Sequence, residues 1–294
     1  MGAAIRRLRD SDRSDIVEIS RHIWDGHDYL SSVVDKWLHD PNSHFYGTLV
    51  DGHVVAVGNL RLIEDGRTGW MEGLRVHPDY RGKGLANDVT RHIIREAERL
   101  GVQRLRYTTS TENVASLKIA RMAGFSKVLR MAVSWLENPK WITEFGDYPP
   151  IRKRSPETIC SLLEMSPRIV PHGILIYEWK ALDCNCQNLE DIGKTQLFYV
   201  AVKEKRVDSF SFGYARKESD QPWWIFTAYA TDSYGFLSQL SHNLAIASKH
   251  GLNSIICTFE TKFEETLKGI DLKSDEHRVT HLVLLEKQMQ GPKQ

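Results

Sequence analysis

The 294-residue sequence has no apolar run long enough to cross a bilayer as a helix. Its start, Met1-Gly2-Ala3-Ala4-Ile5-Arg6, lacks the apolar stretch of a secretory leader, and Arg6 stands where a myristoylation signal carries Ser or Thr. A soluble cytoplasmic protein without a membrane partner is expected. An excess of charge of one sign is missing too. The 39 Lys and Arg residues stand against 38 Asp and Glu, a net charge of +1, which leaves no broad basic face and makes nucleic acid an unexpected partner. Cysteine is scarce, with Cys160, Cys184, Cys186 and Cys257 all in the second half. Cys184 and Cys186 are too close for the usual zinc knuckle and no second pair follows, so the four read as reduced thiols and no metal is expected.

What is present suits a globular protein of two domains of about 150 residues each. Hydrophobic residues make up 41% of the chain and charged residues 26%, enough for a sizeable core. Ile5 to Leu8 reads as a strand, and Ile16, Ile19, Ile23 and Trp24 recur at helical spacing over 12–24. A second helix covers Val33 to Leu38. Phe45 to Val50 and His53 to Leu62 alternate around Asp51-Gly52, a hairpin signal. Trp70 to Val76 is the next strand, 84–100 a helix, Leu105 to Thr109 a strand, Asn113 to Phe125 a short helix and Lys127 to Trp135 a strand. The order is βααβββαβαβ. Pro139 to Pro156, with Pro149-Pro150 and Arg152-Lys153-Arg154, reads as a linker between domains at 1–138 and 157–294.

The second half repeats the pattern. A hairpin about Glu204-Lys205, a strand over Trp223 to Ala230, a helix over Tyr234 to His250, a strand over Ser254 to Phe259, a short helix over Lys262 to Leu267 and a strand over His281 to Glu286 follow in turn. Gly101 matches Gly251 and Leu105 matches Ile255, each at an offset of 150.

The stretch most specific for chemistry is Met71-Glu72-Gly73-Leu74-Arg75-Val76-His77-Pro78-Asp79-Tyr80-Arg81-Gly82-Lys83-Gly84-Leu85-Ala86, a strand broken at a proline, a glycine-rich turn and a helix start. Gly82 and Gly84 let a ligand approach the backbone, and the amides of Lys83 to Ala86 open the helix as an anion cradle that fits a diphosphate. The third glycine of the dinucleotide fingerprint and the GxxxxGK of the P-loop are both absent. Arg81-x-x-Gly84-x-Ala86 after such a strand resembles the acyl-CoA pyrophosphate loop of the GNAT superfamily of N-acetyltransferases. Asn113, Ser116 and the terminal Gly124-Phe125 match the superfamily's later helix.

The resemblance implies an α/β GNAT acyltransferase fold with a mixed central sheet flanked by helices, and acetyl-CoA as co-substrate. Arg81, Gly82, Lys83, Gly84, Leu85 and Ala86 would hold the diphosphate. Leu74, Arg75 and Val76 would serve the pantetheine and the carbonyl oxygen through their backbones. Asn113 faces the pantetheine or substrate in the family, while an Asn there can equally cap its own helix. Glu72, two residues before Leu74 and on the same face if no bulge intervenes, is the expected base for the amine; an ion pair with Arg75, Arg61 or Lys118 is the other reading. The family's phenolic acid is missing, since Ala120 stands at the usual Tyr position; water, the substrate or another side chain would protonate the thiolate, unless no acid is needed.

At the offset of 150, the cradle becomes Thr231-Asp232-Ser233-Tyr234-Gly235-Phe236 and Asn113 becomes Phe263, so the second half reads as a degenerate GNAT-like copy that binds no cofactor. Ile23-Trp24-Asp25-Gly26-His27-Asp28-Tyr29-Leu30, with the Met71 to Val76 strand and the degenerate half, resembles the histidine N-acetyltransferase family of vertebrates. That resemblance implies a small amine acceptor, an amino acid such as histidine, with Arg75 or Arg61 for its carboxylate and His27, Asp28 and Tyr29 for its ring. A protein acetyltransferase and an acyl-CoA-binding protein without turnover are the alternatives.

Overall fold

The computed structural model describes residues 4–23, 28–216 and 222–289. It divides into two compact units, Met1–Tyr107 with Asn113–Lys127 and Leu285–Gln294, and Thr108–Glu112 with Val128–Leu284. The units interleave along the chain instead of meeting at one linker.

The first unit orders its strands β1 (Ala4–Arg7), β2 (Ser43–Val50), β3 (His53–Ile63), β4 (Thr68–Val76) and β5 (Arg104–Ser110), with the end of β14 (Glu276–Gln288) beside β5. The β2–β3 turn is tight because Asp51 and Gly52 both take positive φ, 50° and 87°. Helices cover both faces. On one, α1 (Arg13–Arg21) and α2 (Leu30–His39) bury Ile16, Ile19, Val34 and Trp37 against Phe45, Val54 and Val57. On the other, α3 (Leu85–Arg99) sets Val89, Ile93 and Ala97 against Val55, Ala56, Leu60 and Leu105. Leu117 and Ala120 of α4 (Val114–Met122) join that core.

Strand β4 positions the site. It runs antiparallel to β3 but pairs in parallel with β5 only at Thr68↔Arg104, Gly69↔Leu105 and Trp70↔Arg106. Beyond Trp70 it has no register partner on β5 among the described residues. A bulge interrupts its pairing with β3 between Arg75, opposite Val57, and Glu72, opposite Asn59. Gly73 at the bulge has φ of 68°, and the Trp37 ring lies 2.5 Å from where a Cβ would stand, so two separate constraints require glycine there.

The second unit reuses the same β–α–β connection. Its order is the first part of β14, then β6 (Ser126–Glu137, from Val128), β13 (Ser254–Glu260), β12 (Trp223–Ala230), β11 (Arg206–Arg216), β10 (Leu197–Lys203) and β7 (Arg152–Arg154). β12 and β13 are parallel, as β4 and β5 are, and α7 (Ser233–Lys249) joins them as α3 joins the first pair. The helix ends superpose at the offset of 150, since Gly101 and Gly251 both close their helices with positive φ. The helix starts do not, because α7 begins two residues early. Four elements went unassigned in the sequence: α5 (Pro156–Glu164), the strands β8 (Ile174–Tyr177) and β9 (Lys180–Asp183) of a hairpin, and α6 (Cys186–Gly193). Here the expectation of four reduced thiols is corrected. Cys160 and Cys186 form a disulfide between α5 and α6, while Cys184 and Cys257 are free.

At the start of the first unit Arg6 donates twice to Asp12, at 2.7 and 2.8 Å, and the Arg9 amide donates to the same carboxylate at 2.8 Å. These bonds, with Arg6 the largest cause, hold the Asp12 carboxyl below its ordinary value. A depressed carboxyl contributes stability above its unfolded-state pKa and loses it as pH falls through the folded-state value. Asp12→Asn should therefore lower stability at pH 7 by about 1.5–3 kcal/mol, and by progressively less as the pH falls below the ordinary carboxylate range. Urea titrations of both proteins from pH 7 downward measure the difference; an equal loss throughout would refute it.

Candidate functional site

Helix α3 starts in an unusual way. Its N-cap is Gly84 in the left-handed region, φ 83° and ψ −3°, and no side chain caps it. The first-turn amides of such a helix have no intrahelical acceptor and carry the positive end of its dipole. Gly82, at φ 77°, makes the preceding turn, and a Cβ at either glycine would meet no protein atom within 4 Å. Arg81 and Lys83 are exposed beside this opening. The Arg81 Nε donates to the Val76 carbonyl at 3.3 Å, and Lys83 Nζ lies 4.6 Å from the centre of the Tyr80 ring. Uncapped amides, two cations and clear space suit the diphosphate of an acyl-CoA. Leu85 is buried beneath the cradle and Ala86 half-buried.

Glu72 is half-buried on β4. Asn59 Nδ2 donates to its Oε1 at 3.1 Å, and Ser43 Oγ donates to Asn59 Oδ1 at 2.8 Å. Ser43 and Asn59 are both fully buried, so the carboxylate is oriented by a fixed chain of polar groups from β2 and β3. The sequence reading missed Asn59. Its signal was a polar residue in the otherwise apolar run Val54 to Leu60. The bulge at Gly73 also corrects the expected alternation, since Glu72 and Leu74 are no longer related by simple strand periodicity. Two of the cations weighed as partners for Glu72 are engaged with other carboxylates: Arg61 lies 3.5 Å from Asp40, and Arg75 pairs with Asp28.

The Arg75–Asp28 pair is bidentate. Nε and one terminal nitrogen each donate at 2.9 Å, and the other terminal nitrogen donates to the Leu74 carbonyl at 3.0 Å. The Asp28 side chain has no exposed surface. Tyr29 completes the cluster, with the Arg75 guanidinium carbon 5.4 Å from its ring centre and Trp37 edge-on at 6.2 Å. Although Tyr29 keeps 42% of its surface exposed, desolvation raises its phenol above its ordinary pKa, opposed by Arg75 and aided by Glu72 and Asp28. Asp28, Tyr29 and Arg75 are thus brought together next to β4. His27 lies outside the described residues.

Asn113 is the N-cap of α4, its Oδ1 accepting the Ser116 amide at 3.0 Å. The capping role weighed for it is therefore present. The Ser116 carbonyl accepts from the Tyr107 hydroxyl at 3.3 Å, and Ala120 is buried in the core.

The corresponding end of α7 is closed from within. Asp232 is its N-cap and takes the Gly235 amide at 2.8 Å. Over this end lies the segment Trp141 to Tyr148. Tyr148 donates to Asp208 at 2.7 Å and meets Ser209 at 2.6 Å, and its oxygen would lie 2.9 Å from a Cβ on Gly235. Phe145 packs edge-on against Tyr234 at 4.9 Å, and the Thr143 amide and carbonyl both bond to the Ser241 hydroxyl. Phe263, the counterpart of Asn113, stacks on Phe236 at 4.9 Å in the core. The Gly235 amide is therefore taken by the cap, and the space over Gly235 is filled by Tyr148.

Gly84→Asp places a carboxylate at the α3 cap, where it would satisfy the amides meant for the ligand and repel its phosphates. Titration calorimetry should show acetyl-CoA affinity falling by about a hundredfold or more while circular dichroism is retained. Unchanged affinity would remove the cradle assignment.

The sequence model of the Acetyltransferase (GNAT) family matches residues 6–125, which include β2 to β5 and both cradle and cap. A histidine N-acetyltransferase from Oreochromis niloticus is 38% identical over 82 residues, covering 28% of this chain and 24% of that protein. One from Xenopus tropicalis is 31% identical over 86 residues, covering 29% and 26%. The chain thus spans about a quarter of the length of these curated relatives. Among solved structures, a tandem GNAT protein from the clavulanic acid biosynthesis pathway aligns over 100% of both chains at a TM-score of 0.61 and 11% identity. A GCN5-related N-acetyltransferase from Sphaerobacter thermophilus aligns over 97% of this chain and 95% of its own at 0.59 and 12%. Family members take acetyl-CoA as acyl donor. The fold is the GNAT fold, and residues 6–125 are an acetyltransferase domain of the GNAT family.

Proposed function

We propose that the chain is an acetyl-CoA-dependent N-acetyltransferase that acetylates the α-amino group of a small amino acid, histidine first among them, by direct transfer in a ternary complex. The observation that carries this reading is the pairing of an uncapped α3 with an oriented carboxylate, Glu72, on the strand that leads into it. Bound acetyl-CoA supplies the thioester acetyl group. Arg81, Lys83 and the amides opening α3 hold its diphosphate. The backbone of Leu74, Arg75 and Val76, beyond the point where β4 leaves β5, aligns the acyl arm.

Glu72 accepts the amine proton, directly or through one water, and Asn59 keeps its Oε1 turned for that role. Arg75 and Tyr29 meet the acceptor, with Asp28 acting through Arg75 by fixing the plane of its guanidinium. The histidine N-acetyltransferase names of the relatives support the choice of acceptor. Ala120 offers no phenol, so the leaving thiolate departs without help from that position.

Thiol release from acetyl-CoA with a panel of free amino acids, polyamines and short peptides tests the acceptor, and selective turnover with histidine or a close analogue is expected. Turnover with peptides alone would refute the small-acceptor reading. Glu72→Gln should leave acetyl-CoA affinity within about twofold and lower kcat by about 10²- to 10⁴-fold, most near neutral pH. An unchanged pH–rate profile would remove Glu72 as base.

A further inference from the structure

The second unit carries a group of soft donors that acetyl transfer does not use. Cys160 and Glu164, four residues apart, share one face of α5, and Cys186 is the first residue of α6. The Cα atoms of the two cysteines are 5.2 Å apart. Glu164 Oε1 lies 3.9 Å from Cys160 Sγ and 3.8 Å from Cys186 Sγ, so three donor atoms stand within 4.8 Å of one another. These residues line a cavity of about 280 Å³ together with Cys184, Ser166 and Gly173.

In the oxidised form the exposed Glu164 carboxylate lies against a disulfide, whose sulfurs have no proton to give it, and no ion pair holds it among the described residues. A cation between the three would complete the site. Two thiolates and a carboxylate are a donor set for zinc, and three protein ligands leave its fourth position open. A water from the adjoining cavity can fill it. The short Cys184-Cys186 spacing does not stand in the way, because the chelating pair comes from two helices.

We propose that the reduced protein binds one zinc ion through Cys160, Cys186 and Glu164, and that the disulfide and the metal are alternative closures of the same α5–α6 junction. A dithiol reductant breaks the S–S bond, gives two protein thiols and is itself oxidised to a disulfide. Zinc then displaces one proton from each thiol, and both protons leave to solvent.

The test uses the full chain. Protein reduced with a phosphine, which is oxidised to its oxide with oxygen from water, is loaded with zinc, desalted and analysed for metal, beside protein kept oxidised. About one zinc per chain is expected in the reduced form and essentially none in the oxidised form. Cobalt loading of the reduced form should give thiolate-to-metal charge-transfer absorption and tetrahedral d–d bands. The exposed Glu164→Gln should weaken zinc affinity by about tenfold or more with circular dichroism unchanged, and the Cys160→Ser, Cys186→Ser double variant should lose the site. Equal zinc in reduced wild type and the double variant, equal uptake by both redox forms, or unfolding on reduction would each overturn the proposal.

Discussion

The first turn of a helix that follows a strand in a parallel pair has amides that something must satisfy, and the rest of this structure follows from how each half does so. In the first unit a left-handed Gly84 stands at the cap and offers no side chain. No side chain takes those amides, and under the proposed function an anion would match them in both charge and hydrogen bonding. For that ligand to be aligned, the strand before the helix must also part from its parallel neighbour. β4 does so after Trp70, and the bulge at Gly73 turns the strand where the separation starts. The ring of Trp37 fills the space a side chain at Gly73 would need, so the bend is packed in place from the α2 face.

The second unit answers the same constraint with its own atoms. Asp232 caps α7 as an N-terminal carboxylate does in any ordinary helix, and Phe145 and Tyr148 pack beside its first turn. Burial, with Asp208 and Asp232 adding to it, raises the Tyr148 phenol well above its ordinary value, so the group stays protonated and serves as a fixed donor to Asp208. Further along the helix, Trp224, Asn243, Ser211, Gln239 and Ser209 form a continuous buried chain of hydrogen bonds. Such a network, satisfied throughout, ties α7 to β11 and β12 in one register. That network makes α7 a structural member of the second unit.

Much of this was legible in the sequence because it is local. Asp51-Gly52, Gly101 and Gly251 each take a left-handed backbone conformation that their residue types favour. The glycine turn before α3 was legible for the same reason, as was Asp232 as the cap of α7. The missed features depend on partners distant in sequence. Ser43, Asn59 and Glu72 meet only because β2, β3 and β4 pair in one register. The bulge at Gly73 follows from Trp37, 36 positions earlier, and no spacing rule within β4 reports it. The region 156–193 was left unread although Ser155-Pro156 and Asn185 are cap signals, since helices of nine and eight residues give little periodicity to detect. The disulfide joins two of those unread helices, so the cysteine spacing alone could not predict it.

The Asp28–Arg75 pair shows how one residue next to the acyl arm can define an acceptor. Two opposite charges with little exposed surface cost several kcal/mol each to desolvate, and bidentate geometry is what offsets that cost. Their value to the proposed site lies in orientation more than in stability. Arg75 sits in the part of β4 whose backbone is assigned to the acyl arm, and Asp28 and the Tyr29 ring fix where its guanidinium points. An acceptor with a carboxylate would then meet a cation whose position is tied to that backbone, and an amine one carbon from that carboxylate would be placed by the same contact. Selectivity for an α-amino acid would arise from the distance between Arg75 and Glu72, both set by one bulged strand, more than from any recognition of the side chain.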